Sequence, residues 1–362
     1  MRSVQVQVVQ HLKPGGIETM ALDFLRRANL GQEVHIVSLE GQADEACAAW
    51  PRLEPFMDKL HFLNKQPGLS FQTLFKLKSL LYQLGATAVQ THHVGPLLYG
   101  GLAARLAGIR RVVHTEHDAW HLQDARRRML QSFLISLVRP ILVADSHLVA
   151  DELAKVLPKK KYIVISNGVD CDLFSPGDMK PARRKLDLPS NVPIIGCAGR
   201  MEPVKAQAHL LKAHALMSQT VHLALAGTGS LEQELKNLVQ ILGTEKRVHF
   251  LGRIDDMPTF YKALNVFCLP SKMEGMPLSP LEAQASGVVC VATDVGGMRE
   301  AVCPKTGIII TDESPCSLAT GLRQALANVG SGDPRAYPLA HANLETVINA
   351  YQKLLLAEKY ND

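Results

Sequence analysis

The chain of 362 residues contains no C-x-x-C pair, and its seven cysteines (47, 171, 197, 268, 290, 303 and 316) stand singly. An odd number at such spacings argues against a disulfide framework or a zinc knuckle and suits a reducing, cytoplasmic setting. No stretch approaches the roughly 20 apolar residues that cross a bilayer. FLISLVRPILVA comes nearest and is broken by Arg139 and Pro140. The N-terminus, MRSVQVQVVQHLKPGG, has one early arginine and then an alternating strand, with no A-x-A cleavage site, so it does not read as a signal peptide. The G-x-G-x-x-G turn of a dinucleotide-dependent oxidoreductase is missing after the first strand, where KPGGIE stands instead. No D-x-D motif is placed at a strand end to hold Mg²⁺.

What is present points to a globular α/β protein: 47% hydrophobic residues, with 26 glycines and 20 prolines. The net charge of +5 gathers in the first half, at Arg110-Arg111, Arg126-Arg127-Arg128 and Lys159-Lys160-Lys161. Each cluster reads as a solvated face, and together they suit an anionic partner; without interleaved aromatics, single-stranded nucleic acid is a poor candidate. Short β-rich runs (VQVQVVQ, EVHIVSL, ATAVQTH, RRVVHT, ILVADS, YIVIS, then PIIGCAG, VHLALAG, RVHFLG, LNVFCLP, VVCVAT, GIIIT) alternate with helical patterns. That alternation predicts parallel sheets built from βαβ units. The length exceeds what one core serves, and the turn-rich stretch SNGVDCDLFSPGDMKP marks a mid-chain junction. The expected architecture is two Rossmann-like doubly wound domains, 1–170 and 171–342, facing across a cleft, with ligands at the carboxyl ends of the strands.

Three stretches carry candidate chemistry. EGMPLSPLEA (274–283) places Glu274 at a strand end and Glu282 a turn into the following helix, with Pro280 in its first turn. Free N–H groups at a helix start attract phosphate, and two flanking carboxylates suit sugar hydroxyls. The spacing therefore fits a ligand with a sugar at each end and phosphates between, while the plainer reading makes Glu282 an exposed helix residue and Glu274 a loop cap. GRMEPVK (199–205) sets Arg200 and Lys205 after a strand, as phosphate-binding cations or as an Arg200–Glu202 surface pair beside a solvated lysine. GGIE (15–18) opens a helix after the first strand, where Gly15 and Gly16 permit close backbone approach.

Together these stretches, with HTEHD (114–118), SNGVD (166–170), AGTGSLEQEL (226–235), FLGRIDDM (250–257) and DVGGMRE (294–300), resemble the retaining glycosyltransferases of family 4, the glycosyl transferases group 1, over nearly the whole chain. The resemblance implies a GT-B architecture with the C-terminal helix, 343–362, packing back on the first domain. It implies a nucleotide-sugar donor, a UDP-sugar, as substrate and no cofactor or metal. Arg200 and Lys205 would hold the diphosphate, and Glu282 the ribose. Glu274 and the backbone of Gly275, Met276, Pro277 and Leu278 would hold the transferred sugar. Gly15 and Gly16 would close over the diphosphate, His117 would lie near the sugar, and Arg253 with Ile254 near the base. The acceptor would be a glycan or lipid-linked hydroxyl in surface-polysaccharide, lipopolysaccharide or exopolysaccharide assembly. A small soluble acceptor, or epimerisation of a nucleotide sugar on the same fold, is the alternative.

Three further readings remain, two of them in the first half. In HTEHDAWH, His114, Glu116, His117, Asp118 and His121 imitate a metal cluster, but alternating positions on a strand and its loop diverge, which argues against a metal; Glu116 and Asp118 are instead expected to face the acceptor. In AGTGS, Ser230 is expected to cap a helix, with Gln233 completing a capping box. RRRMLQSFLISLVRP (126–140) carries Met129, Leu130, Phe133, Leu134 and Leu137 behind a basic start. It reads either as a helix lying peripherally on an anionic membrane surface or as a buried helix.

Overall fold

The computed structural model describes residues 3–28 and 31–356. The chain divides into two compact units, Met1–Ser166 with Val347–Asp362, and Asn167–Thr346. Each is built on one parallel sheet. The first has seven strands: β1 (Ser3–Val9), β2 (Gln32–Ser38), β3 (Leu60–Phe62), β4 (Ala88–His92), β5 (Arg111–Glu116), β6 (Ile141–Ala144) and β7 (Ile163–Val164), in the order β3-β2-β1-β4-β5-β6-β7. The second has six: β8 (Ile194–Ala198), β9 (His222–Ala226), β10 (Val248–Gly252), β11 (Val266–Leu269), β12 (Val289–Thr293) and β13 (Ile308–Ile310), in the order β10-β9-β8-β11-β12-β13. Every strand run read from the sequence is a strand. The addition is β3, three residues (LHF) at a sheet edge, too short for a periodic signal.

Both orders reverse direction once, between β1 and β4 in the first sheet and between β8 and β11 in the second. At such a switch point the loops leaving two neighbouring strands diverge to opposite faces and open a crevice at the carboxyl ends. The second sheet is buried on both faces, as parallel sheets are. Along β8, Ile194 and Ala198 join a core with Phe260, Phe267 and Leu281, while Ile195 and Cys197 join another with Leu210, Leu223 and Leu318. Burial pushes the Cys197 thiol up to about 12, so it serves as a core hydrophobe.

In the first sheet the alternating glutamines of β1 depart from the usual meaning of alternation, a solvated face. Gln5 and Gln7 are buried; Gln7 donates to Gln90 Oε1 at 3.0 Å, and Gln90 donates to Thr115 Oγ1 at 3.2 Å. In this buried polar row Gln7, Gln90 and Thr115 satisfy one another across neighbouring strands, whereas the buried Gln5 Nε2 has no hydrogen-bond partner. The C-terminal helix, Leu344–Leu356, adds to it: Thr115 Oγ1 donates to the Tyr351 hydroxyl at 3.3 Å, and that ring meets Phe24 edge-on at 5.3 Å. Its expected continuation through 357–362 lies outside the described residues. Residues 167–170, expected with the first domain, belong to the second unit.

Candidate functional site

At the second switch point β8 runs into Gly199 and Arg200, and Lys205 ends a short 3₁₀ turn, Pro203–Lys205. β11 runs into Ser271–Met276, and a helix spans Leu278–Ala285 behind Pro277. The two loops meet: Lys205 Nζ lies 2.5 Å from Glu274 Oε1, and Ser271 Oγ donates to the same oxygen at 2.6 Å. Lys205 is therefore not a solvated lysine. Leu278 and Ser279 hold the first two helical positions, whose N–H groups have no acceptor within the helix; Pro277 and Pro280 have no N–H to leave unsatisfied. Glu282, at the fifth position of that helix, accepts from the Tyr261 hydroxyl at 2.6 Å. Tyr261 is fully buried, and burial together with the Glu282 charge raises its pKa, so it remains a donor.

The loop backbones are pinned by contacts with no local sequence signature. Asn167 Nδ2 donates to the Met276 carbonyl at 2.7 Å, which gives SNGVD a concrete role. Gly297 N–H donates to the Gly275 carbonyl at 2.6 Å, and a Cβ on Gly296 would sit 1.8 Å from the Glu274 carbonyl oxygen. A Cβ on Gly229 would sit 2.4 Å from the Met201 carbonyl oxygen, so the AGTG turn rests directly on the GRM loop. Glu202 does not pair with Arg200; it accepts from Ser230 N–H at 3.1 Å and Oγ at 2.7 Å. That corrects the capping box. Leu231 caps the helix Glu232–Ile241 without a side-chain bond, and Gln233 donates to Asn237. The Arg200 side chain is exposed, its carbonyl held by Gln207 Nε2 at 2.9 Å. Arg253, also exposed, pairs with Asp255 at 3.2 Å, while Ile254 packs against the core.

In the first unit, Gly15 caps the helix Gly16–Arg26, and the Glu18 carboxylate folds back over it, 2.3 Å from where a Gly15 Cβ would stand. His11 Nδ1 faces Glu18 Oε1 at 3.3 Å. His117 is held at both ring nitrogens, by His92 at 3.0 Å and Asp145 Oδ2 at 3.3 Å; His92 passes the chain to Gln7 Oε1 at 3.1 Å. Burial, with His117 beside it, pushes His92 well below its ordinary value, so this link is a neutral imidazole. Glu116 does not face outward: it is fully buried, 2.6 Å from His114 Nε2, and accepts a hydrogen bond from Gln131. Burial alone would raise its carboxyl, but His114 and His93 hold it well below the usual carboxylate range.

The divergence expected along HTEHDAWH is only partial. The His117 ring turns away to His92, but a 3₁₀ turn, Trp120–Gln123, brings His121 back to within 2.8 Å of Asp118. His93, from the end of β4, joins them, and one ligand atom from each of His93, Asp118 and His121 lies within 4.8 Å of the others. Nothing local in the sequence singles out His93, because the contact spans two strands.

Two family models match, the glycosyl transferases group 1 over residues 178–336 and the glycosyltransferase family 4 over residues 14–173. Among curated relatives, a UDP-Gal:alpha-D-GlcNAc-diphosphoundecaprenol alpha-1,3-galactosyltransferase of Escherichia coli is 31% identical over 62% of this chain and 62% of its own length, less than two thirds of that protein. A D-inositol 3-phosphate glycosyltransferase of Corynebacterium urealyticum is 27% identical over 85% of this chain and 78% of its own. Among solved structures, Anabaena Alr3699/HepE in complex with UDP superposes with a TM-score of 0.83 at 20% identity, covering 98% of this chain and 99% of that one. That likeness establishes the shared fold.

Proposed function

Because the chain belongs to the family 4 glycosyltransferases, the glycosyl transferases group 1, and has their GT-B fold class, we propose that it transfers a sugar from a UDP-sugar to a hydroxyl of a glycan or lipid-linked acceptor, with retention of configuration, in surface-polysaccharide assembly. The observation that carries this reading is the meeting of Lys205, Glu274 and the start of the helix Leu278–Ala285 at one switch point. In this proposal Arg200, Lys205 and the N–H groups of Leu278 and Ser279 neutralise the departing diphosphate. Glu282 binds the ribose, Arg253 and Ile254 border the base, and Glu274 with Gly275 and Met276 holds the transferred sugar. The C1–O bond to the diphosphate breaks as the acceptor oxygen approaches the same face, and the leaving phosphate oxygen takes the acceptor proton. His117, Gly15 and Gly16 belong to the unit assigned to the acceptor side. The UDP complex of the Anabaena neighbour supports the choice of nucleotide, and the name of the Escherichia coli relative supports a lipid-linked acceptor.

With two cations and a helix start in place, the leaving group needs no Mg²⁺. Turnover of a UDP-sugar panel in chelator-treated buffer, read as UDP release with lipid-linked and soluble acceptors, is expected to proceed undiminished. A rate restored only by Mg²⁺ or Mn²⁺ would refute the charge assignment, and UDP release with no acceptor consumed would refute transfer. Transfer confined to a soluble acceptor would move the proposal to the chemistry in the Corynebacterium relative's name.

The lipid-linked reading also draws support from the helix Ala125–Val138. Of its five apolar positions singled out in the sequence, Leu134 is buried, whereas Met129, Phe133 and Leu137, four residues apart, are 74%, 62% and 54% exposed, with Leu130 beside them. Arg126 and Arg127 are exposed at its start, and among the described residues no helix is long and apolar enough to cross a membrane. An apolar stripe behind a basic end suits the surface of an anionic bilayer. Flotation with phosphatidylglycerol liposomes at low salt is expected to carry the protein up, and Phe133→Ser with Met129→Ser is expected to leave it at the bottom. Equal recovery of both proteins removes the idea.

A further inference from the structure

We propose that His93, Asp118 and His121 bind one divalent transition-metal ion of the zinc type. The three sit on loops leaving adjacent strands β4 and β5, at the ligand-bearing end of the first sheet. His93 Nε2 is 3.9 Å from Asp118 Oδ2, and His121 Nδ1 is 2.8 Å from Asp118 Oδ1. Ligands about 2.0–2.2 Å from a tetrahedral zinc stand roughly 3.3–3.6 Å apart, so the three ligand atoms, now within 4.8 Å of one another, must close by up to about 1 Å to hold the ion.

The polarity of the surroundings is what a metal requires. Gln131 donates its Nε2 hydrogen to Glu116, which leaves Gln131 Oε1 as the atom 3.1 Å from His121 Nε2. The hydrogen of a neutral His121 is therefore on Nε2, and its Nδ1 lone pair faces Asp118. His93 repeats the pattern: Nδ1 faces Glu116 Oε2 at 3.6 Å, and Nε2 faces Asp118. Glu116 Oε2 is an independent pointer, since it is fully buried, lacks a hydrogen-bond partner, and lies 3.8 Å from His121 Nε2 as well. Glu116 thus faces the far nitrogen of His93 directly and that of His121 through Gln131, the place a buried carboxylate takes in the second layer of a metal site. His93 also adopts φ +63 and ψ 174, a region nearly reserved for glycine.

Two imidazoles and one carboxylate favour zinc and its neighbours over Mg²⁺ or Ca²⁺, which prefer all-oxygen sets. Three protein ligands leave a coordination position for water or a substrate oxygen, and the His93 side chain, 32% exposed, gives access to it. All three ligands belong to the first unit, and binding of this ion does not depend on the proposed transfer reaction.

The test is titration of chelator-stripped, full-length protein with Zn²⁺ and with Co²⁺, read by calorimetry and by the visible bands of four-coordinate Co²⁺. One equivalent per chain is expected. His93→Ala, Asp118→Asn and His121→Gln are expected to abolish the Co²⁺ bands, and Glu116→Gln to weaken binding about 10–100-fold. His249→Gln, in the other unit, is expected to bind as wild type, with circular dichroism checking that each variant is folded. If the wild-type protein takes up no ion, the cluster is a self-neutralised hydrogen-bond network and the proposal is wrong. It is equally wrong if any folded ligand variant still binds one equivalent with wild-type affinity.

Discussion

Glu274→Gln is expected to lower kcat by about 10²–10³ while leaving nucleoside diphosphate affinity unchanged or improved, and Glu282→Gln is expected to do the reverse. The asymmetry follows from partners as well as position. Glu274 is engaged with Lys205 at 2.5 Å and Ser271 at 2.6 Å. In the free protein it competes with any diphosphate for that ammonium. A neutral amide of the same shape releases Lys205 toward the phosphates but removes the negative charge that the proposed donor placement sets where the anomeric carbon becomes positive. Binding then gains slightly and the chemical step loses most. Glu282 meets Tyr261 and is assigned to ribose, which does not change during reaction. Its loss removes uniform binding, on the order of 1.5–3 kcal/mol for a charged hydrogen bond, which is about ten- to a hundredfold in Kd. Calorimetry with UDP alongside donor kinetics separates the two. Lost nucleotide affinity in the Glu274 variant with none lost in the Glu282 variant would reverse the placement of the donor.

How much of this was legible in the sequence depends on the range of each signal. Most strands were legible because parallel strands buried on both faces are continuous apolar runs, β1 was legible by its alternation, and β3 was not legible because three residues at an edge carry no period. The helix start behind Pro277 was legible because two prolines and a carboxylate mark it locally. Contacts between distant segments were not. Asn167 on Met276, Tyr261 on Glu282, and the Gln7–His92–His117–Asp145 chain each join residues whose neighbours in sequence say nothing of the partner. His93, Asp118 and His121 fall in the same class: period-2 reasoning held within β5 and failed once the chain left it for a 3₁₀ turn. The helix Ala125–Val138 shows a different limit. Its composition allowed both a membrane face and a buried face, and the fold assigns Leu134 and Ile135 to the core while leaving Met129, Phe133 and Leu137 outside.

Gly296→Ala is expected to cost about 1–2 kcal/mol of stability and at least about 10²-fold in kcat, though residue 296 is assigned no contact with substrate. Gly296 has φ +53, where an alanine is strained by about 1–2 kcal/mol. Its new methyl would also lie 1.8 Å from the Glu274 carbonyl oxygen and 3.0 Å from that of Gly275. The obstruction is backbone, so no rotamer relieves it, and one of the two loops must move. Either movement breaks the 2.6 Å bond from Gly297 N–H to the Gly275 carbonyl and shifts Glu274 relative to Lys205. A displacement near 1 Å at a positioned group costs on the order of 10²-fold in rate. Gly243→Ala separates the two causes: it has φ +64 but nothing within 4 Å of an added Cβ, so it carries the strain without the clash. Gly243→Ala is expected to melt about 2–8 °C below wild type and Gly296→Ala at least as far below, and only Gly296→Ala to lose turnover. Wild-type kcat in the Gly296 variant would show that the DVGG turn does not hold the Glu274 loop in its working position.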